Sequence, residues 1–308
     1  MGRWHISSRV AITGLVGLLA LDVVLVGMAL RSTHASGIDT SPLRSASAST
    51  DSTATPVSTS STTQLTPAEA PLQTLLVAVD NQRAWRVGAG SCSAGGATLA
   101  TTADGGRTWT QAKTPMRRIV RVRPSDGQVA FVVGANASCA AELKNTSDGG
   151  GTWVSANTVG RAWFRHPTDP GAVRAPGPST SHPCGKRAVL DLAVLSTGSA
   201  RVLCADGLVR STTDTGSSWT DVGTVAGAVA LAVPSANPGR TYVVRLDAGC
   251  AGVSILRVGQ RVATSCIRAT IPRDPGQIAL SLVNGGGWLA VGNTTMRSTD
   301  GLLTWQVS

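Results

Sequence analysis

The sequence predicts an all-β fold, a propeller of five four-stranded antiparallel blades with room for a degenerate sixth. Three observations predict it. A Ser/Thr-x-x-Asp-x-Gly-x-Thr/Ser-Trp motif recurs as TTADGGRTW (101–109), TSDGGGTW (146–153), STTDTGSSW (211–219) and RSTDGLLTW (297–305). Upstream of the motifs runs an aromatic followed by valine: AWRVG (84–88), AFVVG (130–134) and WLAVG (288–292), with TYVVR (241–245) in an interval that lacks the motif. The motif aspartates are 44, 66 and 86 residues apart, a spacing built on a unit of about 43, which suits a blade of four short strands and not a helical solenoid.

Each motif reads as a strand–turn–strand corner. Asp104, Asp148, Asp214 and Asp300 can accept bonds from backbone N–H groups just ahead, as in an Asx-turn. Gly106, Gly150 and Gly216 suit a turn that needs positive φ. A Thr or Ser hydroxyl can close a further local bond. Trp109, Trp153, Trp219 and Trp305 open the next strand and can bury a large apolar surface against a neighbouring unit. In the last copy Leu302 stands where a second glycine is usual, so a looser corner is expected there.

These four copies resemble the Asp-box, or bacterial neuraminidase repeat, of sialidase-type propellers, over roughly residues 72–308. In that family the box joins the third and fourth strands of a blade, away from the ligand face. The resemblance therefore implies a structural role for the box residues. Among Asp-box proteins the chain also looks like the propellers that help assemble photosystem II. Sialidases of this type use an arginine cluster, a Tyr/Glu nucleophile pair and an aspartic acid/base, and here the chain departs from the pattern. It has one tyrosine, Tyr242, which occupies the repeated aromatic slot, and two glutamates, Glu69 and Glu142, in the linker and in a strand entering the second box. The Phe/Tyr-Arg-Ile-Pro signature survives only as Phe164-Arg165-His166-Pro167, on the wrong side of two boxes. Glycoside hydrolysis usually needs two facing carboxylates, and no pair stands out.

The intervals locate the remaining units. The 86-residue gap predicts a blade without a box near 225–270, its last two strands folded around Val258-Gly259-Gln260. The 66-residue gap holds one unit and an excess that includes the Pro- and Gly-rich run 166–185, read as an inserted loop or a rudimentary blade. Leu75–Val79 is the expected inner strand of the first blade and Thr304–Val307 the outer strand of the last, so ring closure rests on blade-to-blade packing.

Ahead of the propeller, residues 10–30 (VAITGLVGLLALDVVLVGMAL) carry one charge, Asp22, and are long enough to span a bilayer core of about 30 Å. Arg3 and Arg9 in the preceding tail (1–9) favour a cytoplasmic N-terminus and a domain outside. The span is expected to be a retained anchor; a signal peptide cleaved after Ala35 is the alternative, and would make the protein secreted. Residues 31–71 form the expected disordered stalk: 32–66 hold 19 Ser or Thr among 35 residues and cannot bury enough apolar surface to fold. The propeller takes 72–308.

All six cysteines, Cys92, Cys139, Cys184, Cys204, Cys250 and Cys266, follow the span, which points to three disulfides in an oxidising compartment. The pairs favoured are Cys250–Cys266 across the boxless blade, Cys184–Cys204, and Cys92–Cys139 between neighbours. Neither CxxC nor paired Cys/His spacing supports a metal site, and no cofactor is expected.

The charge gives the functional clue. From residue 67 onward, 23 Lys/Arg face 14 Asp/Glu, a net charge of +9. Such a field draws anionic partners: wall polymers, acidic glycans or lipid headgroups. Strand alternation predicts one face bearing Arg117, Arg121 and Arg123, on the inner strand of the second blade, and another bearing Arg161, Trp163 and Arg165. These six are the candidate anion or ligand contacts. Nucleic acid does not suit a domain outside the cell. The expectation is a membrane-anchored, non-catalytic binding or assembly scaffold at the plasma membrane, for a protein or an anionic envelope polymer. A divergent sialidase-like glycosidase and a structural envelope protein without specific ligand are the alternatives.

Overall fold

The computed structural model of the protein describes residues 73–308. The expected tail (1–9), membrane span (10–30) and stalk (31–71) lie outside the described residues. No helix among the described residues is long and apolar enough to cross a membrane.

The described residues form six antiparallel sheets. Blade 1 contains β1 (Thr74–Ala78), β2 (Ala84–Gly88), β3 (Thr98–Thr102) and β4 (Thr110–Ala112). Blade 2 contains β5 (Arg118–Pro124), β6 (Ala130–Ala135), β7 (Ala141–Thr146) and β8 (Val154–Ala156). Blade 3 has three strands only, β9 (Phe164–Arg165), β10 (Val173–Arg174) and β11 (Thr180–Ser181). Blade 4 contains β12 (Val189–Val194), β13 (Ala200–Cys204), β14 (Leu208–Thr212) and β15 (Thr220–Thr224). Blade 5, without a motif, contains β16 (Ala228–Ala232), β17 (Tyr242–Asp247), β18 (Gly252–Arg257) and β19 (Ser265–Arg268). Blade 6 contains β20 (Ile278–Val283), β21 (Gly286–Val291), β22 (Thr294–Ser298) and β23 (Gln306–Val307). Within each blade the strands pair in sequence order.

The innermost strands touch in cyclic order: β1, β5, β9, β12, β16, β20 and back to β1. The molecule is therefore a six-bladed propeller, and the count of five is corrected. The sixth sector is the rudimentary one inside the 66-residue interval. Its strands are two residues long, too short for a period-2 pattern to register.

The apolar core is divided among the blade interfaces. One buried cluster lies between blades 1 and 2 (Trp85, Leu99, Ile119, Val132), and others follow between 2 and 3, 3 and 4, 4 and 5, 5 and 6, and 6 and 1. A single sheet has two apolar faces and cannot bury both alone, so each blade uses its two neighbours. At the seam, blade 6 holds blade 1 without exchanging a strand. The Ala78 N–H donates to Ser281 Oγ at 2.9 Å, the Trp288 indole N–H to the Asp80 carbonyl at 2.9 Å, and Trp109 meets Trp288 edge to face with centroids 6.3 Å apart.

Three disulfides tie the loops. Cys92–Cys139 joins the β2–β3 and β6–β7 loops of adjacent blades. Cys184–Cys204 ties the segment entering blade 4 to β13, and Cys250–Cys266 closes blade 5, where no corner motif stands.

Candidate functional site

The four aspartate corners have one design. Thr102 Oγ donates to Asp104 Oδ1 at 2.9 Å and accepts the Gly106 N–H at 3.0 Å. Asp104 then accepts the Thr108 N–H at 3.0 Å and the Thr108 hydroxyl at 2.6 Å. The same four bonds recur around Asp148, Asp214 and Asp300. They hold all four carboxyls down to about 2: the residue-108, residue-218 and residue-304 hydroxyls are the largest cause at Asp104, Asp214 and Asp300, and the Thr152 N–H at Asp148. Each oxygen is committed to its own turn. The looser corner expected at Leu302 is not found. Leu302 adopts φ +74°, keeps the N–H bond to Ser298 Oγ at 3.1 Å and buries its side chain between blades 5 and 6.

Two sets of indoles link the sectors in opposite directions. The corner tryptophans reach back: Trp153 donates to the Lys113 carbonyl of blade 1, Trp219 to Ser181 of blade 3 and Trp305 to Ser265 of blade 5. A second set reaches forward to the inner turn of the next blade: Trp85 in β2 to the Asp126 carbonyl, Trp288 in β21 to the Asp80 carbonyl, and Trp163, just before the inner strand β9, to the Thr197 carbonyl.

The inner strands enclose a central channel of about 670 Å³. Most of its lining residues have apolar side chains, but exposed backbone makes the wall about as polar as apolar, and four lining residues are charged: Arg121, Arg123, Arg165 and Asp191. Bulges shape it. In β5 the register shifts between Ile119 and Arg121, in β12 between Val189 and Asp191, and in β16 between Ala228 and Ala230. The extra residues Val120, Leu190 and Val229 are buried at the wall.

The β5 bulge corrects the face expected of Arg117, Arg121 and Arg123. One inserted residue shifts the alternation by one, so Arg117 falls on the side opposite Arg121 and Arg123. Arg117 bonds the Ser93 carbonyl beside the Cys92–Cys139 disulfide. Arg121 lies 5.2 Å from the Phe131 ring and donates to the Trp163 carbonyl of blade 3. Burial, then the like charge of Arg123, lowers its pKa to about 9. Arg123 is exposed and makes no side-chain hydrogen bond or ion pair among the described residues.

The second expected face is not assembled either. Arg161 sits exposed in a single 3-10 turn (Val159–Arg161), Trp163 is fully buried against Trp219, and Arg165 is buried at the channel wall. Arg165 Nη1 donates to the Val189 and Leu190 carbonyls that the β12 bulge releases, and its Nη2 has no partner among the described residues. Burial lowers its pKa to about 10. Asp191 is pushed up by burial, against the pull of Arg165, while its oxygens accept the Leu192 and Leu231 N–H groups at 2.8 Å.

Sequence reasoning missed a third use of arginine. Arg86, Arg118, Arg201 and Arg297 each donate to backbone carbonyls of an adjacent blade, at Gly292, Pro167, Arg240 and Asn81. Part of the positive charge therefore serves as inter-blade fasteners. Arginine suits this because one planar fork can serve two or three carbonyls. Among the described residues no three His, Cys, Asp or Glu side chains gather where they could hold one metal ion.

No family model matches the chain, and no curated protein matches it. Among solved structures it is similar to YCF48 from Cyanidioschyzon merolae, 14% identical over 77% of this chain and 86% of that one, with a TM-score of 0.39. It is also similar to a variant of the Aleuria aurantia lectin in complex with α-methyl-L-fucoside (11% identical, 78% and 96% covered, TM-score 0.46). A third likeness is the GH74 enzyme of Niastella koreensis (15% identical, 76% and 46% covered, TM-score 0.39). At these identities and scores none of them carries a functional argument.

Proposed function

We propose that the protein is a non-catalytic binding or assembly scaffold that receives an anionic group at its central channel. One observation carries this reading. Arg121, Arg123 and Arg165, from two adjacent blades, line one channel whose single carboxylate, Asp191, already accepts two backbone N–H groups. Among the described residues Arg123 makes no side-chain hydrogen bond or ion pair, and Arg165 Nη2, buried behind the wall, has no partner. Guanidiniums gathered along one concave wall concentrate a positive field there, which draws an anionic group.

The same reading places the propeller outside the cytoplasm, carried by the span at 10–30 and spaced by the stalk at 31–71, facing a protein or an anionic envelope polymer. It takes the chain as a non-catalytic relative of the Asp-box propellers, on the strength of four corners built alike.

The test uses the full-length chain with poly(glycerol phosphate) and native membrane extract as probes. Binding should weaken with rising salt and fall at least about tenfold in Arg123→Glu, since one close charge pair converted to repulsion is worth more than about 1.4 kcal/mol. Arg123 is exposed and makes no side-chain hydrogen bond or ion pair among the described residues, so the variant should stay close to the wild-type melting temperature. Unchanged affinity in that variant would remove the channel from the proposal. Fractionation of cells making the chain with and without residues 10–30 tests the anchor: loss of membrane association on deletion is expected.

A further inference from the structure

Six of the seven tryptophans in residues 73–308 donate their indole N–H to a neighbouring blade. Trp109 is the exception: its N–H finds no partner among the described residues. Trp109 is half-buried at the seam between blades 6 and 1, where it lines a cleft of about 560 Å³. That volume falls inside the usual range for small-ligand sites of about 300–1,000 Å³.

Apart from Arg86, the rest of the lining is neutral and rich in hydrogen-bonding groups. Thr98, Gln111 and Asn293 are exposed, and their side chains bond nothing among the described residues. Gln73 and Gln277 also line it, bonded to each other at 3.1 Å, with Gln73 donating in turn to the Asp274 carboxylate. Among the described residues no carboxylate lines the cleft. Its one cation, Arg86, is spent on the Gly292 and Asn293 carbonyls and on Thr295 Oγ1, at 2.5, 3.0 and 3.1 Å.

We infer that this cleft binds a neutral carbohydrate, with Trp109 as its platform and Gln111, Thr98 and Asn293 as its polar contacts. Sugar hydroxyls both donate and accept, which side-chain amides and hydroxyls match in either direction. The C–H faces of a sugar ring need an apolar plane, and an indole supplies one with a donor at its edge. An anion finds no free positive group here, and a cation no negative one. The three other corner tryptophans lack this edge donor, because their N–H groups are already taken by the preceding blade. The cleft shares only Thr74 of its lining with the channel and contains none of the channel's charged residues.

The test titrates the full-length chain, kept in a detergent without a sugar headgroup, with cellotetraose, mannotetraose and chitotetraose, followed by calorimetry and tryptophan fluorescence. Polygalacturonate is the acidic counterpart. At least one neutral tetraose should bind saturably. Trp109→Phe, which keeps the ring contact with Trp288 and deletes the N–H, and Gln111→Ala, on an exposed side chain, should each weaken that binding about three- to tenfold. Arg123→Glu should leave it unchanged, so failure of the channel proposal would not be mistaken for failure of this one. Saturable binding by no neutral tetraose, binding by polygalacturonate alone, or binding indifferent to both cleft variants would each overturn the inference.

Discussion

At the scale of single residues, the corner aspartates make stability depend on acid. Their carboxyls sit at about 2 in the folded chain, against about 3.9 in an unfolded one. A depressed carboxyl stabilises the fold above the unfolded value, and that contribution is lost as pH falls from about 4 toward 2. Melting temperature should therefore drop through this window. Asp104→Asn should lower it at pH 6 and make the acid fall shallower; a variant as steep as the wild type would contradict the role given to these bonds. Leu302 offers a second test. Its left-handed backbone costs about 1–2 kcal/mol relative to glycine, while its buried side chain returns more. Leu302→Ala should destabilise by about 2–4 kcal/mol, and Leu302→Gly by about 1 kcal/mol less, because only glycine relieves the strain. Urea unfolding of both variants would show the order, and the reverse order would mean the leucine is not strained.

At the scale of strands, legibility followed locality. The corners could be read because acid, glycine and hydroxyl lie within five residues and bond one another. The aromatics of β2, β6, β17 and β21 could be read because their neighbours in sequence repeat with them. The bulge after Ile119 could not: it inserts one residue, leaves the composition of β5 unchanged, and still turns Arg117 away from Arg121. Trp163 was misread for a related reason, since two-residue strands give no phase from which to assign a face. The bulged strand also explains a glycine. A Cβ on Gly134 would lie 1.9 Å from the Arg118 carbonyl oxygen and 2.6 Å from Met116 sulfur. Gly134→Ala should cost at least about 2 kcal/mol in chemical unfolding, since backbone would have to move. A loss under about 0.5 kcal/mol would mean β5 and β6 are not packed this closely.

At the scale of the whole molecule, charge proved the hardest quantity to read. Composition gives the net charge but not the distance from each arginine to a carbonyl in the next blade. Arg86, Arg118, Arg201 and Arg297 close such distances across 39 to 216 residues of sequence. What remains for a partner is a smaller set, with Arg123 at its centre. The cysteines were more legible, because neighbouring blades repeat their loops at like offsets. Everything at this scale rests on the seam, where the last blade packs on the first without strand exchange. A double-mutant cycle in urea on Trp109→Leu and Trp288→Leu, 179 residues apart, tests it most directly. Edge-to-face contact predicts a coupling of about 0.5–1.5 kcal/mol, and additive effects within about 0.3 kcal/mol would mean that the ring does not close there.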